Sequence, residues 1–287
     1  MEVVMTVAVT GASGQLGRLV VEALLKDGSQ PVVAVVRDAA KVADLAERGA
    51  EVRVASYDDP EALERAFQGV DRVLLVSGNE FSKRVAQHTN VIRAAENAGV
   101  KLLAYTSIPK AEVNPLILAQ EHIGTEAALA GASIPTTLLR NSWYWENYTG
   151  GLAHAVETGT LYGAARDGKV SGASRADYAE AAARVLTTDG HEGKVYELGG
   201  DEALSYDELA QVISEVSGKP VRYQDLPQAD YAAALEGAGL EAGYAAVLAD
   251  ADAGIANGIL TVDSGDLQRL LGRPSTPVAE VFRAALS

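Results

Sequence analysis

The chain has 287 residues, 48% of them hydrophobic and 22% charged, with a formal net charge of −15 and no cysteine. That composition describes an ordinary globular protein with ample core, and it excludes disulfides, thiolate catalysis and cysteine-held metals or clusters. The acidic balance argues against nucleic-acid binding through a basic surface. Its four scattered histidines offer no metal-ligand spacing. Residues 1–150 carry 14 basic and 18 acidic side chains, residues 151–287 carry 10 and 21. The first half is thus near neutral, which suits a bound polyanion, and the acidic second half reads as a solvated face. Met1 to Met5 show no basic leader, and no apolar run approaches the roughly 20 residues that span a bilayer. The expected address is the cytoplasm, with no membrane, nucleic-acid or metal partner; the oligomeric state is open.

In chain order, apolar runs at Thr6–Thr10, Pro31–Val36, Glu51–Ala55, Arg72–Val76, Lys101–Thr106 and Pro135–Arg140 alternate with helix-period segments. The helices are expected near Gln15–Lys26, Ala40–Arg48, Pro60–Phe67, Lys83–Ala98 and Ile117–Ala130. Continuous apolar strands separated by helices predict a parallel sheet covered on both faces. The fold class is α/β, a Rossmann-like doubly wound sheet. Beyond Asn141 the pattern shortens, with helices near Asn147–Thr158, Arg175–Thr187 and Tyr206–Ser217 and strands at Lys194–Leu198 and Val221–Asp225. Small helices are expected within Ala232–Gly258, and Ser205-Tyr-Asp-Glu208 has the form of a capping box. These features divide the chain into a nucleotide-binding domain at 1–145 and a smaller mixed α/β lobe at 146–287, some of whose elements can return to the first sheet.

The chemistry begins at Gly11-Ala12-Ser13-Gly14-Gln15-Leu16-Gly17, between the first strand and the first helix. Gly11 permits a tight turn, Gly14 lets a pyrophosphate approach main-chain N–H groups, and Gly17 lets the helix pack on the sheet. About 20 residues further on, where an NAD site carries an acid, this chain has Arg37, a planar cation able to pair with a 2′-phosphate. The expected cofactor is NADPH/NADP, although Asp38 beside it must turn away. Asp58, after the third strand, can accept from an adenine amino group. Ser77-Gly78-Asn79 and Tyr105-Thr-Ser107 end two further strands on the edge where open α/β sheets bind ligands.

An alcohol-type short-chain dehydrogenase needs a Tyr-x-x-x-Lys acid/base about a dozen residues after the fifth strand. Here that region reads Ala119-Gln-Glu-His-Ile-Gly-Thr-Glu126. The dyad is missing, so carbonyl reduction lacks its usual proton donor, whereas quinone reduction needs one less, since hydride adds to an electrophilic ring and gives a weakly basic phenolate. His122 and Tyr144 are the candidate catalytic donors; a half-exposed helix histidine is the plain alternative for His122. Asn141-Ser142-Trp143-Tyr144-Trp145-Glu146-Asn147-Tyr148 concentrates both tryptophans, and flat rings stack on a nicotinamide or a quinone. Trp143, Tyr144, Trp145 and Tyr148, with Phe81, are expected to line the substrate; an anchor between lobes is the alternative. Arg175, ahead of a helix, either reaches the cofactor or caps Asp177.

These residues resemble the NmrA-like, atypical short-chain dehydrogenase family, and within it the bacterial NADPH-dependent type 2 quinone oxidoreductases. The matching phrases include Thr10–Gly17, Val36-Arg37, Ala104–Ser107, Glu121-His122, Leu138–Asn141, Glu146–Tyr148, Ser174–Tyr178 and Gly190-His-Glu-Gly-Lys-Val-Tyr-Glu197. The resemblance implies a Rossmann lobe with a small C-terminal lobe that reduces small quinones with NADPH and without flavin. It implies cofactor contacts at Gly11–Leu16, Arg37, Ser77–Asn79, Asn141–Glu146 and Arg175. Gly78-Asn79 departs from the serines common there, and Trp145 from a smaller polar residue, which bears on pocket size. The alternative function is an NADP(H)-binding redox sensor without turnover.

Overall fold

The computed structural model describes residues 5–287; Met1 to Val4, part of the stretch read as free of a leader, lie outside the described residues. The first half runs β1 (Val7–Val9), α1 (Gln15–Asp27), β2 (Val32–Val36), α2 (Ala43–Glu47), β3 (Glu51–Val54), α3 (Pro60–Ala66), β4 (Arg72–Leu75), α4 (Arg84–Asn97), β5 (Leu102–Ser107), α5 (Ile117–Ala130) and β6 (Thr136–Asn141). The order continues with β7 (Trp143–Tyr144), α6 (Thr149–Thr158), β8 (Thr160–Gly163), β9 (Lys169–Val170), β10 (Gly172–Ala173), α7 (Arg175–Thr187), β11 (Val195–Leu198) and β12 (Leu204–Ser205). It ends with α8 (Tyr206–Ser217), β13 (Arg222–Asp225), α9 (Gln228–Gly237), α10 (Ala242–Ala256), α11 (Asp266–Leu271) and α12 (Val278–Leu286).

The seven-stranded sheet has the order β11-β6-β5-β4-β1-β2-β3, and β1 to β6 pair in parallel throughout. On leaving β1 the chain moves outward through β2 and β3, then crosses back to β4. That reversal opens the switch point at which open sheets bind ligands beyond their carboxyl ends. Alternate strand residues face opposite ways. Ala8, Val33, Val35, Val73, Leu75, Leu103 and Tyr105 pack with Leu63, Phe67, Val91 and Ile92 of the α3–α4 layer. The intervening residues Val7, Val9, Ala34, Val36, Leu74 and Ala104 are equally buried, and α1 and α7 cover that side. Burial on both faces is why these strands are unbroken apolar runs. The predicted helix at Ala40–Arg48 is in two pieces, a 3-10 turn at Ala39–Val42 opened by the Asp38 cap on the Ala40 N–H, and α2, divided where the Val42 backbone leaves helical geometry at φ −133°.

Two compact units divide the chain. One holds the residues up to Ala111 together with Glu121–Asn141 and Arg175–Tyr196; the other holds Glu112–Gln120, Ser142–Ser174 and Glu197–Ser287. Within the second, β7 pairs with β10, β12 with β9, and β13 with β8. The capping box at α8 is complete, with the Ser205 hydroxyl accepting from the Glu208 N–H and the Glu208 carboxylate from the Ser205 N–H. No helix among the described residues is long and apolar enough to cross a membrane.

Candidate nucleotide-binding site

In the first unit the glycine turn is built by backbone constraints. Gly11 has φ +59°, a left-handed conformation that glycine adopts freely. A Cβ on Gly17 would sit 2.4 Å from the Gly11 carbonyl oxygen, so only glycine lets α1 close onto the turn. Gly14 caps α1 with no side chain, and the first turn of the helix carries no acid. The N–H groups and positive end of a 13-residue helix thus face outward uncompensated, an arrangement that fits a pyrophosphate. Ser13 and Gln15 are exposed, whereas Ala12 and Leu16 are buried.

Arg37 follows β2 and is exposed; its guanidinium meets the Glu80 carboxylate at 3.3 Å. Asp38 is occupied in capping Ala40, so it does not compete for Arg37. Asp58 is exposed, and its two oxygens each accept from Gln87 Nε2 at 3.2 Å.

The exit of β4 is pinned at consecutive backbone groups. The Val76 N–H donates to Thr10 Oγ1 (3.1 Å) and the Val76 carbonyl accepts from the Tyr57 hydroxyl (2.8 Å). The Ser77 N–H donates to Thr106 Oγ1, and the Gly78 N–H to His88 Nε2, both at 2.9 Å. Sequence reasoning missed Tyr57 and His88, and it named Thr10 and Thr106 only within strand-end phrases without this role, because a lone polar residue at a strand end or inside a helix carries no periodic signal. Past this turn, Phe81 is 46% exposed, with the buried Arg84 guanidinium 5.2 Å from its ring centre.

At the ends of β5 and β6, Arg140 and Glu126 form a buried two-pronged ion pair, Nε to Oε1 at 3.0 Å and Nη2 to Oε2 at 2.6 Å. Ser107 Oγ donates to the same carboxylate at 2.5 Å, and buried Asn141 closes β6. His122 is buried, its Nδ1 2.7 Å from the Tyr105 hydroxyl. Burial, then the Arg84 charge, hold His122 well below the usual histidine range, and burial pushes the Tyr105 phenol up. Neither group ionises near neutrality, so His122 can offer a hydrogen bond but not serve as an imidazolium acid. Arg175, half-buried, opens α7 in this same unit.

Ser142 to Tyr148 lie in the second unit. Ser142 donates its N–H to Leu198 and its hydroxyl to Leu260. Trp143 and Tyr144 form β7, Trp143 buried and Tyr144 half-buried. The Trp145 ring covers Gly172 so closely that a Cβ there would come within 2.6 Å. Tyr148 stacks between Trp145, Tyr206 and Phe282 at 5.6 to 6.4 Å between ring centres. Trp145 and Tyr148 thus pack within this unit, and Glu146 lies half-buried between them in sequence. Among the described residues no group of three or more His, Cys, Asp or Glu side chains is placed to hold a metal.

The NmrA-like family profile matches residues 4–254. Quinone oxidoreductase 2 of Escherichia coli (strain K12) is 52% identical over 275 residues, 96% of each chain. The crystal structure of the NADPH-dependent quinone oxidoreductase from Escherichia coli complexed with NADPH superposes with a TM-score of 0.94 at 50% identity, covering 98% of this chain and all of that one. Triphenylmethane reductase from Citrobacter sp., complexed with NADP(H), superposes at a TM-score of 0.92 and 40% identity, covering 97% and 99%. The extent of these matches, from the glycine turn to the last strand of the sheet, identifies the chain as a member of the NmrA-like family.

Proposed function

We propose that this protein reduces small quinones with NADPH by direct hydride transfer and without flavin. The observation that carries the reading is the 52% identity to a quinone oxidoreductase along 96% of the chain. The first unit supports it with a glycine turn and uncapped helix N-terminus fit for a pyrophosphate, and with Arg37 in place of an acid. When bound, the nicotinamide supplies the hydride. Gly11 to Gly17 hold the phosphates, Arg37 leaves Glu80 to pair with the 2′-phosphate, and Asp58 accepts from the adenine. Ser77, Gly78 and Asn79 run along the nicotinamide ribose. Contacts from Asn141, Ser142 to Glu146 and Arg175, and a substrate-facing role for Phe81, Trp143 and Tyr144, are proposed from the family resemblance.

A conjugated quinone needs little from a protein acid, since hydride and one solvent proton convert it to the hydroquinone and the oxyanion formed is a weak base. A chain that lacks the tyrosine–lysine dyad, and holds Tyr105 and His122 neutral, suits that chemistry. The work of the protein is orientation and exclusion of water. The absence of cysteine agrees with a reducing cytoplasmic address. The test is NADPH oxidation with 1,4-benzoquinone by protein whose visible spectrum shows no flavin. Turnover no faster than the uncatalysed rate ends the reading, and tight NADPH binding without oxidation would make the protein a sensor.

A further inference from the structure

Of the four pins on the β4 exit, the one from α4 requires a single protonation state. His88 is wholly buried, between the edges of the Tyr57 and Tyr105 rings. A backbone N–H can only donate, so His88 Nε2, 2.9 Å from the Gly78 nitrogen, must be the acceptor. The other side of the ring agrees independently. Thr125 Oγ1 gives its one proton to the Glu121 carbonyl at 2.9 Å, so at 2.9 Å from His88 Nδ1 it must accept. The ring is therefore neutral and carries its proton on Nδ1. An imidazolium would set two N–H groups head to head at Gly78. Burial, reinforced by the Arg84 charge, lowers the His88 pKa to about 3, in keeping with that state.

We propose that His88 is a positioning residue for the nicotinamide half of the cofactor, acting through the Gly78 N–H and backed by Thr125. The role rests on the reading that Ser77 to Asn79 border the cofactor. With the Gly78 N–H turned inward to the imidazole, the peptide plane of the turn is fixed and its outer face is presented in one orientation. Without an acceptor, that inward, half-buried N–H is left unsatisfied and the turn rotates to find one.

The experiment pairs His88→Leu, which removes the acceptor, with His88→Gln, whose side-chain oxygen reaches the former Nε2 position. We expect His88→Leu to weaken NADPH binding roughly tenfold, with a KM for 1,4-benzoquinone within about twofold of the parent, and His88→Gln to restore most of the loss. Equal weakening by both variants, or no weakening by His88→Leu, overturns the proposal. Two measurements on the parent protein need no variant to fold. The 15N shifts of His88 should show a neutral ring protonated on Nδ1 across pH 5–8, and the Gly78 amide should exchange slowly. A ring protonated on Nε2, or fast exchange at Gly78, refutes the anchor. A protein that shows both signatures yet binds no NADPH would fail the functional reading and leave the anchor standing.

Discussion

At the scale of single residues, the proposed reading of the 2′-phosphate by Arg37 depends on what holds its guanidinium before the nucleotide arrives. Its guanidinium rests on Glu80, with Arg37 largely exposed and Glu80 half-buried, so the pair is weak and readily exchanged for a doubly charged phosphate. Arg37→Ala is expected to weaken NADPH roughly tenfold or more while leaving NADH almost unchanged, as titration calorimetry can measure. Equal losses for both cofactors would show that Arg37 does not read the 2′-phosphate. Glu80→Gln should act in the opposite direction, tightening NADPH by up to about fivefold because the arginine no longer has to leave a partner. A weaker complex in that variant would mean that Glu80 supports the arginine rather than competing for it. Arg37 is legible in the sequence because its distance from the third glycine fixes its place at a strand end. Glu80 is not, since its contact depends on the path of an irregular turn, and His88 reads like any histidine inside a helix.

At the scale of elements, the ion pair of Arg140 and Glu126 ties β6 to α5, and Ser107 adds β5 through the same carboxylate. Removing Glu126 takes two charge-assisted hydrogen bonds from the buried Arg140 guanidinium and a third from Ser107. Glu126→Leu should lower stability by about 2–3 kcal/mol in denaturant melts, and Glu126→Gln by clearly less because the hydrogen bonds partly survive. Equal effects would show that shape rather than charge holds the joint. The major elements of the first half are readable because β1, β2, β4 and β5 are buried on two faces and each helix on one, while the exposed edge strand β3 is marked by its valines and flanking turns. In the second half β11 and β13 stand where the sequence predicts strands, but the shortest strands are hidden for a geometric reason. β7, β9, β10 and β12 have two residues each, too few for any alternation to register. α11 and α12 also go unread, since six and nine residues leave little room for a helical period. The aromatic run at Trp143 to Tyr148 shows the limit of composition: the residues are legible, but their packing against Gly172, Tyr206 and Phe282 depends on partners distant in sequence.

At the scale of the whole molecule, one buried acid contributes a pH dependence to stability that opposes in sign the one from the buried, neutral His88 and His122. Asp252 in α10 accepts the Tyr206 hydroxyl at 2.5 Å and the Ala164 N–H at 2.9 Å, and burial pushes its pKa up to about 7. In the unfolded chain the same carboxyl titrates near 3.8, so between the two values the folded state holds the extra proton. Its contribution to stability therefore falls as pH rises from about 4 to about 7, with a slope of up to about 1.4 kcal/mol per pH unit, and is level above that. Asp252→Asn should lose this part of the slope and gain on the parent as pH approaches 8. Parallel stability curves for the two proteins would locate the pH dependence elsewhere. The pinned turn after β4 bears on the order of events when the chain folds. Thr10 and Tyr57 precede it, Thr106 follows it, and the Thr125 that backs His88 comes later still. A chain emerging from synthesis cannot settle this turn until α5 has docked, however early the glycine turn forms. In refolding followed by stopped flow, helix content should recover first and the fluorescence of bound NADPH only after a lag; simultaneous recovery would refute that sequence. An unfinished molecule would thus take up no reducing equivalents, and the anchor proposed at Gly78 would double as a checkpoint on completion.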